Sequence, residues 1–159
     1  MSDDWAERMA GRIKKAREDH RRDTESELQR NAKIVDKAPR LWEQLVEAIQ
    51  LRATRVNSLL QDEPREQLGL KINPNQVEVV ITRGQPVKSE LVLKFTRQPP
   101  AIVCTTTTEL LQSGMSNNRT RRFEFNIYEG NVHLQEENIA APVKIEKAAE
   151  SLLETILKD

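Results

Sequence analysis

Cysteine and histidine, common choices for nucleophile, transition-metal ligand and proton carrier near neutral pH, are scarce in this chain, with one cysteine, Cys104, and two histidines, His20 and His133, among 159 residues. Cys104 alternates with Ile102 and Thr106 in a β-branched run, and no Lys, Arg or His stands beside it in sequence to stabilise a thiolate. This spacing predicts a small buried side chain rather than a reactive thiol. A zinc centre needs three or four converging ligands, and these three residues show no paired spacing, so no metal site is expected. A phosphate-cradling loop needs clustered glycines, whereas Gly11, Gly69, Gly84, Gly114 and Gly130 stand alone. The nucleophile-elbow string Gly-x-Ser-x-Gly is missing. The chain is therefore expected to use no cofactor and to be no enzyme.

Three patches remain as candidates for binding. Near the N-terminus, Trp5, Met9 and Ile13 repeat every four residues beside a stretch, 8–22, that holds seven Lys/Arg against Glu18 and Asp19. A partner-docking helix, an interfacial membrane anchor and a nucleic-acid arm all fit that composition. The acidic run from Asp23 to Glu27 follows at once and disfavours a membrane surface or nucleic acid, leaving a protein partner or a homodimer. In the second patch, Lys94, Arg122, Tyr128 and His133 are expected on the polar face of a sheet, where they would form a small-ligand or catalytic face. Glu136 and Glu137 adjoin them in what reads as an exposed connection. In the third, Arg119, Arg121 and Arg122 form the densest basic cluster of the body, as a weak nucleic-acid binder would need. Only Tyr128 is left there for base stacking, because Phe123 and Phe125 are assigned to the core.

These residues must be positioned by elements that the hydropathy pattern defines. Trp5, Met9, Ile13, Ala16, His20, Thr24, Leu28, Ala32 and Val35 recur at spacings of three or four, a narrow helical stripe flanked by charge. Pro39 marks a break, with Asp36 as candidate N-cap of a second helix that ends near Asp62. In that helix Trp42, Leu45, Val46, Ile49, Ala53, Val56, Leu59 and Leu60 make a wide core-facing stripe. From Leu68 the period becomes two. A hairpin around 84–87 with Ile81 opposite Leu91 also matches Val79 with Leu93, Val77 with Phe95, Val80 with Val92 and Glu78 with Lys94. A third strand begins near Ala101, Gln112 to Asn118 reads as a loop, and Thr120 to Tyr128 resumes the alternation. Gly130-Asn131 is expected to turn a further hairpin, pairing Ile127 with Leu134 and Tyr128 with His133. Pro142 is expected to open a last helix with Ile145, Ala149, Leu152, Leu153 and Ile156 on its core face, and Lys158 near its end.

The predicted architecture is α+β: an antiparallel meander of about five or six strands covered on one face by two helices, preceded by a helical arm. The arm takes residues 1–38 and the two-layer domain 39–159, and the domain is expected to fold without the arm. Charge follows this division, with 10 Lys/Arg against 9 Asp/Glu in 1–38 and 15 against 16 in 39–159, giving +1 and −1. A neutral molecule lacks the positive field that steers nucleic-acid binding. No apolar run approaches the ~20 residues of a membrane span. The acidic start predicts neither a secretory signal nor a transit peptide, and one cysteine permits no internal disulfide, so the expected location is cytoplasmic. No residue motif ties the pattern to a family. The expected function is a non-enzymatic cytoplasmic protein-interaction module whose arm engages a partner or a second copy. A ligand-binding or catalytic domain is the alternative, and a weak nucleic-acid binder the third reading.

Overall fold

The structure, a computed structural model, describes residues 2–73, 77–84, 88–109 and 116–157. The chain divides into two units, Met1–Lys33 and Ile34–Asp159. In chain order the elements are α1 (Ser2–Leu59), a 3-10 turn (Pro64–Glu66), β1 (Leu68–Asn73), β2 (Glu78–Arg83), β3 (Ser89–Arg97), β4 (Pro100–Glu109), β5 (Ser116–Tyr128), β6 (Asn131–Glu136) and α2 (Ile145–Leu157).

Pro39 does not break the helix: it lies inside α1, and Asp36 is an interior residue rather than an N-cap. A proline in a helix interior loses one hydrogen bond and costs ~3 kcal/mol. Burial of Ala38, Trp42, Leu45, Ile49 and Ala53 around and beyond it offsets that loss, because each packs on the sheet only in helical register. The helix ends at Leu59, slightly before the expected Asp62. There Gln67 Nε2 donates to the Leu60 and Asn57 carbonyls at 3.0 and 3.4 Å. The Asn57 amide also accepts from Leu68 N at 2.7 Å and donates to Leu68 O at 2.9 Å, fastening the end of α1 to the start of β1.

The six strands form one sheet in the order β1-β2-β3-β4-β5-β6, antiparallel throughout. The β2–β3 register is the one the side-chain matching predicts, with Ile81 opposite Leu91, Val79 opposite Leu93, Val80 opposite Val92 and Glu78 opposite Lys94. Residues 85–87 of that hairpin lie outside the described residues. The β5–β6 register differs from expectation by two residues: Ile127 faces Val132, Phe125 faces Leu134 and Tyr128 faces Asn131. The turn is Glu129-Gly130, both at positive φ (51° and 79°), the pattern of a type I′ hairpin that suits the strand twist. A slip of two preserves the faces, so Leu134 stays in the core. Of the expected loop 112–118, residues 116–118 belong to β5, paired with 107–109, and 112–115 lie outside the described residues.

One sheet face carries the core. Val79, Ile81, Leu91, Leu93, Phe95, Ile102, Cys104, Phe123, Phe125 and Leu134 are buried there, against Trp42, Leu45 and Ile49 of α1 and Ala149, Leu152 and Ile156 of α2. Trp42 stacks on Phe95 with centroids 5.6 Å apart, and Phe95 meets Phe125 edge-on at 6.1 Å. Helix α2 starts at Ile145 rather than Pro142, because Val143 is held in a bridge to Leu134. At its other end Arg83 Nη1 donates to the carbonyls of Ile156 and Leu157 at 3.1 and 3.0 Å, placing a cation at the negative end of the helix. Lys158, expected in that role, lies outside the described residues.

Candidate functional site

The arm unit is helical, and the side chains from Ala10 to Lys33 are exposed. Trp5 is 61%, Ile13 60% and Leu28 63% exposed, while Met9 is half-buried. Charged neighbours support the helix locally, as in the Arg21–Glu25 pair at 3.9 Å, one helical turn apart. The arrangement offers an apolar ridge with cations and anions along its flanks. Such a surface can cover a partner's apolar stripe.

The polar sheet face holds Lys94, Arg122, Tyr128 and His133 as two separate pairs. Lys94, Val103 and Arg122 lie opposite one another on β3, β4 and β5, which sets Lys94 and Arg122 two strand spacings apart, ~10 Å. Tyr128 is six residues further along β5, about 20 Å from Arg122 at ~3.4 Å per residue. Its ring meets His133 edge-on at 6.1 Å. Tyr128 Oη donates to Gln135 Oε1 at 2.8 Å, Asn126 Nδ2 donates to the same oxygen, and Gln135 Nε2 donates to Ile139 O at 2.7 Å. Arg122 is balanced by Glu124 at 3.5 Å and Glu137 at 3.7 Å. The four residues thus share a face without converging on one point.

The basic cluster divides differently from its sequence. Alternation along β5 sets Arg121 on the core face with Phe123 and Phe125. There Arg121 Nε and Nη2 donate to Glu136 Oε1 and Oε2 at 2.5 and 2.9 Å. A further bond runs from Nη2 to Ser151 Oγ of α2 at 2.9 Å. The guanidinium also lies over the Phe123 ring, 5.4 Å from its centroid. The bidentate bond to Glu136 raises the Arg121 pKa above its ordinary value, against the opposing effect of burial. Glu136, expected in an exposed connection, is instead part of β6 and of this ion pair. The parity of residues 121, 123 and 125 carried that signal, but the two-residue error in the β5–β6 register hid Glu136.

Beyond Arg121 the core face opens into a cleft of ≈870 Å³ between β4, β5 and α2, lined by Thr106, Arg119, Arg121, Glu136, Ser151, Glu154 and Thr155 among others. Thr106 and Thr155 share a hydrogen bond of 3.3 Å. Arg119 is the one member of the arginine trio with no ion-pair partner among the described residues. Next to the paired guanidinium, Cys104 is 1% exposed and its thiol is pushed up to about 12, chiefly by burial. A protonated thiol at that depth is a core side chain and no nucleophile. Among the described residues no group of three or more His, Cys, Asp or Glu could hold a metal ion, and no helix is long and apolar enough to cross a membrane. Comparison with protein families, curated proteins and solved structures finds nothing that this chain matches.

Proposed function

We propose that this protein is a non-enzymatic interaction module whose arm lays the ridge of Trp5, Met9 and Ile13 along a helical partner, while the body serves as a rigid scaffold. The observation that carries this reading is the exposure of Trp5, Ile13 and Leu28, each above half, at helical spacing on one element. Leaving large apolar side chains in water forgoes ~1.5–3 kcal/mol apiece, which a partner's stripe would recover. Trp and Met are also frequent anchors of interfaces. A cytoplasmic setting is part of the same proposal, the one thiol serving the core rather than a disulfide. Sedimentation of the full chain, alone and mixed with a synthetic amphipathic helical peptide, tests it. Trp5→Ala with Met9→Ala is expected to abolish association, whereas Lys14→Gln with Lys15→Gln changes it little. The reverse pattern, with association lost on adding salt, would replace the ridge by an electrostatic contact.

The cleft at Arg119 supports a second reading, in which the body binds a small anion through that guanidinium and the neighbouring threonine hydroxyls. Titration of inorganic phosphate, followed by amide shifts, is expected to perturb residues of β4 and β5 around Thr106 and Arg119, with the response lost in Arg119→Gln. Unmoved amides at that end of the sheet would remove this reading.

A further inference from the structure

The ridge and the charges of the arm share one centre of symmetry, His20. Resting on the docking-arm reading above, we propose that the arm's partner is the arm of a second copy of this chain, lying antiparallel with the two His20 side chains at the centre. Counted outward from His20, Ala16 and Thr24 lie four residues away on either side. Ile13 and Leu28 lie seven and eight away, Met9 and Ala32 eleven and twelve, and Trp5 and Val35 fifteen each. Turning the helix end for end over its copy therefore meets ridge with ridge at every step. The whole ridge advances thirty residues in eight steps, about 3.75 per step, and a period above 3.6 favours a right-handed wrap.

Charge selects the direction. Residues 12–17 carry four cations, Arg12, Lys14, Lys15 and Arg17, and residues 23–28 carry three anions, Asp23, Glu25 and Glu27. Nearer the centre, Glu18 and Asp19 mirror Arg21 and Arg22. The antiparallel pair lays the cationic block on the anionic one, and Glu18-Asp19 on Arg21-Arg22. A parallel pair in register sets each outer block beside its own copy. At physiological ionic strength charges act over ~8–10 Å, about six residues of helix, so blocks of this size decide the preference. The centre of the seam is also prepared for contact: Thr24 Oγ1 already donates to the His20 carbonyl at 2.9 Å, so its hydroxyl brings no unmet donor to the seam.

The test uses the full chain. Sedimentation equilibrium is expected to show a dimer, and Leu28→Asp, which leaves Trp5, Met9 and Ile13 in place, to weaken it by at least about tenfold. A spin label on Arg8→Cys is expected to lie ~36 Å from its copy, twenty-four residues at ~1.5 Å each, and one on Arg30→Cys ~30 Å. Cys104 is 1% exposed and stays unlabelled in both variants. A dimer with both separations under ~20 Å, near the interaxial distance of packed helices, would overturn the antiparallel arrangement. A monomer at every concentration would overturn the second copy as partner but not the docking arm itself. A dimer unchanged by Leu28→Asp and by Trp5→Ala with Met9→Ala would overturn both.

Discussion

Leu93→Ala and Phe125→Ala are each expected to lower the unfolding free energy by ~2–5 kcal/mol, read as a fall in the denaturant midpoint at constant slope. Leu93 is 0% and Phe125 4% exposed, on neighbouring halves of the same face. Leu93 lies between Val79 on β2 and Cys104 on β4, so truncation opens a gap in the middle of the sheet. Phe125 stands edge-on to Phe95 and opposite Leu134, and its removal also loses the aromatic contact that links β5 to the Trp42–Phe95 stack. Val92→Ala, on the other face and half-buried, should cost distinctly less. A cost under half of ~1 kcal/mol at both Leu93 and Phe125 would mean that this face is not the packed one.

The second large effect is alkaline. The Cys104 thiol is raised from an ordinary 9.0 to about 12, first by burial, with Arg121 pulling it down and Glu136 adding to the rise. Below pH 9 the thiol is protonated whether the chain is folded or unfolded, and its contribution to stability is fully present. Between pH 9 and pH 12 the unfolded chain releases the proton while the folded one keeps it, so stability falls by ~1.36 kcal/mol per pH unit, about 4 kcal/mol across the interval. Cys104→Ala lacks that loss. The stability difference between the parent and Cys104→Ala should therefore move in favour of the alanine variant as pH rises from 9 towards 12. A difference that stays constant over that interval would show a thiol accessible to water.

Much of this architecture was legible because the sheet is two-sided. Where one face is packed and the other wet, alternation assigns the faces, and pairing Glu78 with Lys94 while Leu93 meets Val79 leaves one acceptable register for β2–β3. The β5–β6 hairpin was harder, since Gly130 could be the first or second turn residue and both choices keep Leu134 inside. Only the positive φ of Glu129, which a glutamate seldom adopts, separates them. Pro39 misled for a different reason. A local rule about hydrogen bonds was overridden by burial of Ala38 and Trp42, which no local rule sees. Arg121 was within reach from parity alone, but its partners Glu136 and Ser151 come from two other elements, and their meeting depends on the correct register and on where α2 lies.

The strand order of the sheet also bears on how the chain reaches this state. Every ladder joins strands consecutive in sequence, so each can close as a hairpin with little loop entropy to overcome, and this lowers the contact order of a sheet that makes up much of the body. The costly closures are those of the helices: Arg52 of α1 meets Glu150 of α2 at 3.4 Å across ninety-eight residues. The rate-limiting barrier should accordingly lie in bringing the two helices onto an already zipped meander. Substitutions within the hairpins would then slow refolding, whereas changes at the Arg52–Glu150 junction would mainly speed unfolding.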